Sequence, residues 1–359
     1  MNTERLQQLI ERFSSRRIAV LGDFFLDKYL EVDPALAEPS LETGKTAHQV
    51  VGIRTSPGAA GTVVNNLAAL NVGTVHAVGA VGDDGEGYEL SRELQRRGCT
   101  TEHLLRFPTL MTPTYLKPRN KTDPSLSGEH SRYDTQNRKP TAADVVEQVV
   151  EALDVVLPEI DAVIVADQIE QPDCGVVTSA VRDVLASRAR QFPNLVFWAD
   201  SRSQIRNFRN VIIKPNQFEA AGRTNPQPGD EVALDELKAA AGVLRGINGV
   251  PVCVTCGKRG ALVTDPEFTV IPAVRIDGPT DPTGAGDSFT AGAVLALSSG
   301  ATLAEAALVG CLVASLTVQQ LATTGTTTPD ELVDRLLLWR EQNPGGVLRD
   351  AVRRTAGGE

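Results

Sequence analysis

Short apolar runs alternate along the chain with stretches of helical period. Continuous hydrophobic runs at 18–21, 75–81, 162–166, 195–198, 211–213, 251–255 and 261–263 read as buried strands. Between them, apolar positions recur at helical spacing over 62–70, 87–97, 142–157, 174–190, 234–246, 288–297 and 303–318. Strands that are apolar throughout and separated by helices predict a mostly parallel sheet covered on both faces, an α/β architecture. Leu6, Leu9, Ile10 and Phe13 also follow helical spacing, which predicts a short amphipathic docking helix at the N-terminus.

Two segments break the alternation. Residues 28–55 and 107–138 are polar, contain proline and pattern as short strands or loops. Long structureless loops in compact domains usually carry function, so the pair reads as two halves of a small β lid over the catalytic face rather than as ordinary surface loops. The Pro/Gly stretch at 225–230 is too short for a linker, which leaves one domain over 1–340 and a C-terminal tail over 341–359. Strand edges exposed by such a lid invite pairing, so a homodimer through the lid is an expectation.

Composition narrows the partners. With 42% hydrophobic and 22% charged residues in 359, the chain can bury a substantial core. A net charge of −10 argues against nucleic acid or an anionic membrane as the main partner, while local basic loops leave an anionic substrate open. The longest apolar stretch, 291–318, is interrupted by Ser, Gly and Glu305, and the charged N-terminus lacks the apolar core of a signal peptide. A cytoplasmic location is expected. Five scattered cysteines fit a reducing compartment. Cys253 and Cys256 lie in a strand with no second pair to complete a zinc site, and the four histidines form no ligand cluster.

The densest chemistry lies at Asp281-Pro282-Thr283-Gly284-Ala285-Gly286-Asp287, which runs into a small-residue helix from Ser288. A glycine turn at a helix start frees consecutive N–H groups where about half a positive charge collects. That suits an anion. An Asp beside such a hole is placed to take a proton from an attacking hydroxyl. These are the parts of a phosphoryl-transfer site, which depends on positioning and charge stabilisation. Taken without its neighbours, the same segment is a glycine turn with Asp287 as a cap.

Other segments carry weaker signals. Asp23 and Asp27 follow the first strand, where carboxylates can accept from sugar hydroxyls or serve as turn residues. Ser56-Pro57-Gly58-Ala59-Ala60-Gly61-Thr62 is a second tight turn at a helix start. Asn216 and Glu219 share one face of any helix starting after Ile213. They can hold Mg²⁺ through its waters or close a capping box. Thr255-Cys256-Gly257-Lys258-Arg259-Gly260 joins two strands as a glycine turn. Gly44-Lys45-Thr46 has Pro39 where a Walker A loop needs glycine, and Phe289 occupies the third glycine position of a dinucleotide fingerprint.

Taken in order, these motifs resemble the ribokinase-like (PfkB) carbohydrate kinases over about 18–338, and within them the heptose-7-phosphate kinase branch. Gly22-Asp23 with Asp27 and Tyr29, Ser131-Arg132-Tyr133-Asp134, Ala199-Asp200-Ser201-Arg202 and Thr324-Gly325-Thr326-Thr327 carry that branch. The resemblance implies a ribokinase-like three-layer α/β/α fold with a small β lid. It also implies ATP-dependent, Mg²⁺-requiring phosphorylation of a hydroxyl of a sugar or sugar phosphate. By the same resemblance Asp287 is the general base, and the amides of Gly284, Ala285, Gly286 and Asp287 hold the transferring group. Asn216 and Glu219 then support Mg²⁺ and the phosphates, and Thr255, Gly257 and Gly260 the nucleotide. Asp281 and Thr283 match positions that hold a monovalent cation such as K⁺. Asp23, Asp27 and Gly58 would contact the sugar, with Thr62 on the same side. Lys117, Arg119 and Arg132 are candidates for a substrate phosphate or simply solvated lid charges.

The chain departs from the family pattern on the sugar side. The paired glycines appear as Gly58-Ala59, the usual Asn is Thr62, and the segment 37–51 lacks the Pro-rich sequence of heptose kinases. In bifunctional heptose enzymes a nucleotidyltransferase domain follows, and none is expected within the residues after 340. The competing readings are a kinase for fructose 6-phosphate, ribose, a ketodeoxy sugar acid or a nucleoside, and a non-catalytic sugar-sensing protein of the same fold. Loss of the Asp at 287 or of the glycine turn would mark the sensor, and both are present.

Overall fold

The computed structural model describes residues 1–123, 128–321 and 324–346. Helix α1 (Thr3–Ile10) buries Leu6 and Leu9 and is capped by Asn2. Strand β1 (Arg17–Gly22) is followed without a helix by β2 (Phe24–Pro39) and β3 (Thr46–Ala59), then by α2 (Ala60–Ala69). Next come β4 (Thr74–Gly82), α3 (Gly85–Arg96), β5 (Cys99–Thr100), β6 (Leu104–Phe107), β7 (Thr114–Asn120) and β8 (Tyr133–Thr135). Regular alternation resumes with α4 (Ala143–Val156), β9 (Ala162–Asp167), α5 (Ser179–Gln191), β10 (Val196–Ser201), β11 (Ile212–Ile213), α6 (Gln217–Ala221) and α7 (Leu234–Asn248). An antiparallel meander, β12 (Cys253–Thr255), β13 (Ala261–Val263) and β14 (Thr269–Ile271), precedes helices α8 (Ala285–Ser298), α9 (Leu303–Thr317) and α10 (Pro329–Gln342).

The main sheet has seven strands in the order β11-β10-β9-β1-β4-β5, with β6 also on β4, and every pairing is parallel. Ile18 to Leu21 on β1 are fully buried because a separate apolar cluster covers each face, which explains the unbroken hydrophobic run. Parallel bridges Ile213↔Val252 and Asn216↔Thr255 attach the meander beside β11. The predicted α/β/α layering is therefore what forms, with the strand C-termini gathered at one edge. That edge is where open parallel sheets bind ligands.

The lid forms its own sheet, β3-β2-β7-β8. Its first strands are long, 16 and 14 residues, where short strands or loops were predicted. Only the inner end, Phe24 to Asp27, and Val32 are buried, so the outer half shows too little apolar alternation to announce a strand. The helix expected from 174 starts at Ser179, because residues 168–178 form a loop tied to the buried Asp23. Helix α10, set by a Thr328–Glu331 capping box, had no counterpart among the predicted elements. The expected tail begins inside it, and residues 347–359 of that tail and 124–127 of the lid segment lie outside the described residues.

Candidate active site

The glycine turn folds as a helix N-terminus whose geometry needs glycine. Gly284 caps α8 at φ 75° and ψ 3°, a left-handed conformation. Asp281 Oδ1 accepts from Thr283 N–H at 3.0 Å, which tightens the approach to the turn. The Ala285 N–H donates back to Pro282 O at 3.1 Å, so it is taken up by the turn. The expected hole is therefore smaller than four amides. The N–H groups of Gly286 and Asp287 have no protein partner among the described residues.

Behind this turn lies a buried ion pair. Lys214, at the end of β11, donates to Asp200 Oδ2 at 2.8 Å, and both line the same cavity as Glu219 and Asp287. Burial pushes the Asp287 carboxyl up to about 7, with Asp200 adding to the rise and Lys214 and Arg202 opposing it. Burial likewise lifts Glu219 to about 7, against the hydrogen bond it accepts from the Asn216 N–H. Burial alone would lower Lys214, but Asp200 holds it above its ordinary value. Three carboxylates thus face one buried cation, and a carboxylate poised near neutrality suits a general base.

The Asn-x-x-Glu pair forms a complete capping box. Asn216 Oδ1 accepts from Phe218 N–H at 2.9 Å and Glu219 N–H at 3.0 Å, and Glu219 Oε2 accepts from Asn216 N–H at 2.7 Å. Asn216 has no carbonyl lone pair left for a metal, which corrects its expected role as a donor. The second oxygen of Glu219 and the carboxylates of Asp200 and Asp287 remain as hard oxygen donors along the cavity. Among the described residues no three His, Cys, Asp or Glu side chains converge as a metal cage. This spread-out set fits Mg²⁺, which keeps several waters and takes one or two carboxylates plus substrate phosphates.

The cavity on this side measures about 800 Å³ and includes Thr255, Gly257 and Gly260 as expected. A Cβ on Gly260, at φ 99°, would run into the backbone of Ile271 and Ala273. Its far wall, Ile276, Phe289, Ala314 and Val318, is apolar enough for a flat ring.

A second cavity of about 340 Å³ opens between the turn and the lid. Asp27, Thr62, Lys117, Arg132, Asp281 and Thr283 all line it. Lys117 donates to Asp27 Oδ1 at 2.7 Å, and Arg132 pairs with Asp134 at 2.7 Å while lying 4.6 Å over the Tyr115 ring. Phe25, Ala59 and Tyr115 supply an apolar patch, with the Phe25 and Tyr115 rings 5.1 Å apart.

Two expected sugar contacts do not reach this cavity. Asp23 accepts from the N–H groups of Val176 at 2.7 Å, Gln168 at 2.8 Å and Ile169 at 3.2 Å, and is buried. It is a strut for the 168–178 loop and lines neither cavity. Gly58 lies beneath Asp27, where a Cβ would stand 2.7 Å from Asp27 Oδ2, so it makes room for that carboxylate. Conversely, Lys214, Arg202, Gln168 and Tyr115 line the site without having been assigned a role. Lys214 had a readable signal, a lysine closing an apolar strand directly before Pro215-Asn216.

Fold and cleft together define an α/β phosphotransferase in which two cavities meet at a helix N-terminus. Residues 17–330 match the pfkB family carbohydrate kinases, and the chain belongs to that family as a sugar kinase. It is similar to Bifunctional protein HldE of Caulobacter sp. (strain K31), 31% identical over 337 residues that cover 92% of this chain and 64% of the relative. The Trichlorobacter lovleyi protein of the same name is 26% identical over 345 residues, 93% of this chain and 65% of its own. The chain thus spans a little under two thirds of these relatives' length. Among solved structures, Thermotoga maritima ribokinase superposes with a TM-score of 0.63 at 21% identity, covering 90% of this chain and 99% of that one. Arabidopsis thaliana ribokinase, complexed with ribose and ATP, gives 0.63 at 18% identity over 89% of this chain and 98% of its own. At such identities these structures establish the fold.

Proposed function

We propose that this kinase transfers the γ-phosphoryl group of ATP to a hydroxyl of a sugar phosphate, with heptose 7-phosphate as the first acceptor to test. One observation carries the reading. The acceptor cavity has the base and the glycine turn at one end and the lid cations Lys117, Arg119 and Arg132 at the other. A sugar held between them presents a hydroxyl to Asp287 and its own phosphate to the lid, where arginine forks suit phosphate oxygens. The HldE relatives favour a heptose phosphate, and the ATP bound to the Arabidopsis neighbour favours ATP as donor.

In this reading Asp287 accepts the hydroxyl proton as the oxygen attacks the γ-phosphorus, and the bond to the departing ADP breaks. The Gly286 and Asp287 N–H groups meet the charge on the phosphoryl oxygens. Asp200, Glu219 and Asp287 would hold Mg²⁺, which would supply charge neutralisation at the phosphates. Lys214 keeps the carboxylate cluster from repelling the donor.

An ADP-release assay over heptose 7-phosphate, fructose 6-phosphate, ribose, a ketodeoxy sugar acid and a nucleoside tests the proposal. A charged hydrogen-bonded contact contributes about 1.5–3 kcal/mol, so phosphorylated acceptors are expected to lead by at least about tenfold in kcat/KM. Preference for ribose or the nucleoside would sink the sugar-phosphate reading.

A further inference from the structure

A group passing between two cavities has to cross the surface they share. Among the described residues, only Gln168, Arg202, Gly284 and Asp287 line both. Gly284 and Asp287 belong to the turn and the base. Of the remaining two, Arg202 is the cation, and its surroundings set it apart from the other charges of the site.

Its backbone is fixed while its guanidinium is not. The Arg202 N–H donates to Asp167 O at 3.0 Å, and the preceding Ser201 hydroxyl donates to Asp167 Oδ2 at 2.6 Å. The side chain is 51% exposed, and the carboxylate it pairs with, Glu170, lies 3.9 Å away and is itself 67% exposed. A pair of that kind contributes about 0–1 kcal/mol and does not hold the fork in place. Lys214, by contrast, is buried and committed to Asp200. Across the crossing point, Asp200, Glu219 and Asp287 outnumber Lys214, so a phosphoryl group with charge on three oxygens meets a local excess of negative charge. Lys258 and Arg275 line the larger cavity alone, whereas Arg202 reaches both and can meet that charge at the crossing, where a planar fork can grip two of those oxygens.

We infer that Arg202 is a catalytic residue whose guanidinium closes on the phosphoryl group as it crosses from nucleotide to acceptor, opposite the Gly286 and Asp287 N–H groups. The inference rests on the kinase reading above. The acceptor O–P bond forms, the P–O bond to ADP breaks, and the proton goes to Asp287. Arg202 keeps its proton throughout and acts by charge alone.

The test compares Arg202→Met and Arg202→Lys with wild type. Removing one positioned donor of this kind costs about 10²–10³ in rate, so R202M is expected to lose that much in kcat with KM for ATP changed less than about threefold. R202K should recover part of it, about tenfold, because it restores charge without the fork. A binding measurement needs no turnover. Calorimetry with Mg²⁺ and ADP alone should give equal affinities for wild type and R202M. With aluminium fluoride added as a stand-in for the transferring group, R202M should bind at least about tenfold more weakly. Turnover within about threefold of wild type, or a loss that appears equally in ADP affinity, overturns the inference, since it was argued as a contact made only in the transition state. Wild-type protein that neither binds ADP nor releases it with any acceptor is a failure of the kinase reading itself, visible without any variant.

Discussion

The cavity proposed for the nucleotide and the one proposed for the acceptor are assembled differently. On the nucleotide side each part is a continuous piece of chain: the Gly284–Asp287 turn, the Asn216–Glu219 helix start and the Gly257–Gly260 hairpin. Local backbone geometry makes each of them, and the parallel sheet brings them together. The acceptor side draws on β2, the Ala59–Thr62 turn, β7, Arg132 and Thr324, which meet only because the lid sheet folds over the main one. Parts made by local backbone are constrained by covalent geometry. Parts made by side chains from separate elements can change one at a time, and Ala59 and Thr62 are where this chain departs from its family's pattern.

The sharpest way to break that contrast is Asp287→Asn. A positioned base contributes about 10²–10⁴-fold, so turnover should fall by at least that much while ADP affinity persists. Direct measurement of kcat and of ADP binding checks both halves. Turnover near wild type would remove the chemical role from the nucleotide side altogether.

Proton linkage adds a second test. The native Asp287 carboxyl titrates near 7, above its ordinary 3.8, so the folded protein keeps a proton that the unfolded chain has already released between those values. Wild-type stability therefore falls as pH rises through that window, and the cost is fully present above about pH 7. D287N should melt higher than wild type at about pH 8, by on the order of 1–3 kcal/mol, and match it below about pH 4. If the same carboxyl is the proposed base, kcat/KM should fall as pH drops below about 7. Burial pushes Glu219 up to about 7 as well, so its titration falls in the same range. A limb near 4 would show that the base is not the buried group.

Asp23 and Asp27, four residues apart, sharpen the division within the acceptor side. Asp23 binds three backbone N–H groups, whereas Asp27 faces the cavity and Lys117. Asp23→Asn turns an N–H₂ toward backbone donors and should cost about 1–3 kcal/mol of stability in denaturant titration. Asp27→Asn keeps an acceptor for Lys117 but removes the charge of a largely buried pair, so it too should cost stability, and it alone should raise the acceptor KM, by about tenfold. If the two variants exchange phenotypes, the assignment of strut and ligand is reversed.

Much of the architecture could be read from the apolar runs, because a strand buried on both faces has no polar phase to confuse it. The 18–21, 75–81 and 162–166 runs all became strands of the parallel sheet. The lid's length was hidden, since 46–56 on β3 contains no buried residue. The turn at 284–287 was legible because glycine there answers a backbone requirement. Asp23 was not, because one carboxylate looks the same in sequence whether its partners are amides or sugar hydroxyls. Arg202 stood in a recognised stretch, yet its placement between two cavities depends on how β10 ends against β9, which no local pattern encodes.

The smallest expected effect concerns Ala59, which stands where the family resemblance puts the second of its paired glycines. Ala59 sits at φ 53° and ψ −118°, a region that L residues avoid and glycine tolerates. Its neighbour Thr62 places a methyl against the Gly284 turn, at 3.3 Å from where a Cβ on that glycine would stand. Holding an alanine in such a conformation costs about 1–3 kcal/mol, so Ala59→Gly should raise stability by about 1 kcal/mol after the added freedom of the unfolded chain is counted. A residue kept at that cost in the wall of a binding cavity has its methyl as the compensating gain. The methyl narrows the acceptor pocket beside Phe25 and Tyr115, so A59G should be the more stable protein and the less selective one. One methyl in such a pocket changes discrimination by about 1–3 kcal/mol at most, which the ratio of kcat/KM values for heptose 7-phosphate and fructose 6-phosphate can resolve. If A59G gains stability with that ratio unchanged, the strain has no bearing on the acceptor, and Thr62 and the 37–51 segment would be left to carry this chain's departure on the sugar side.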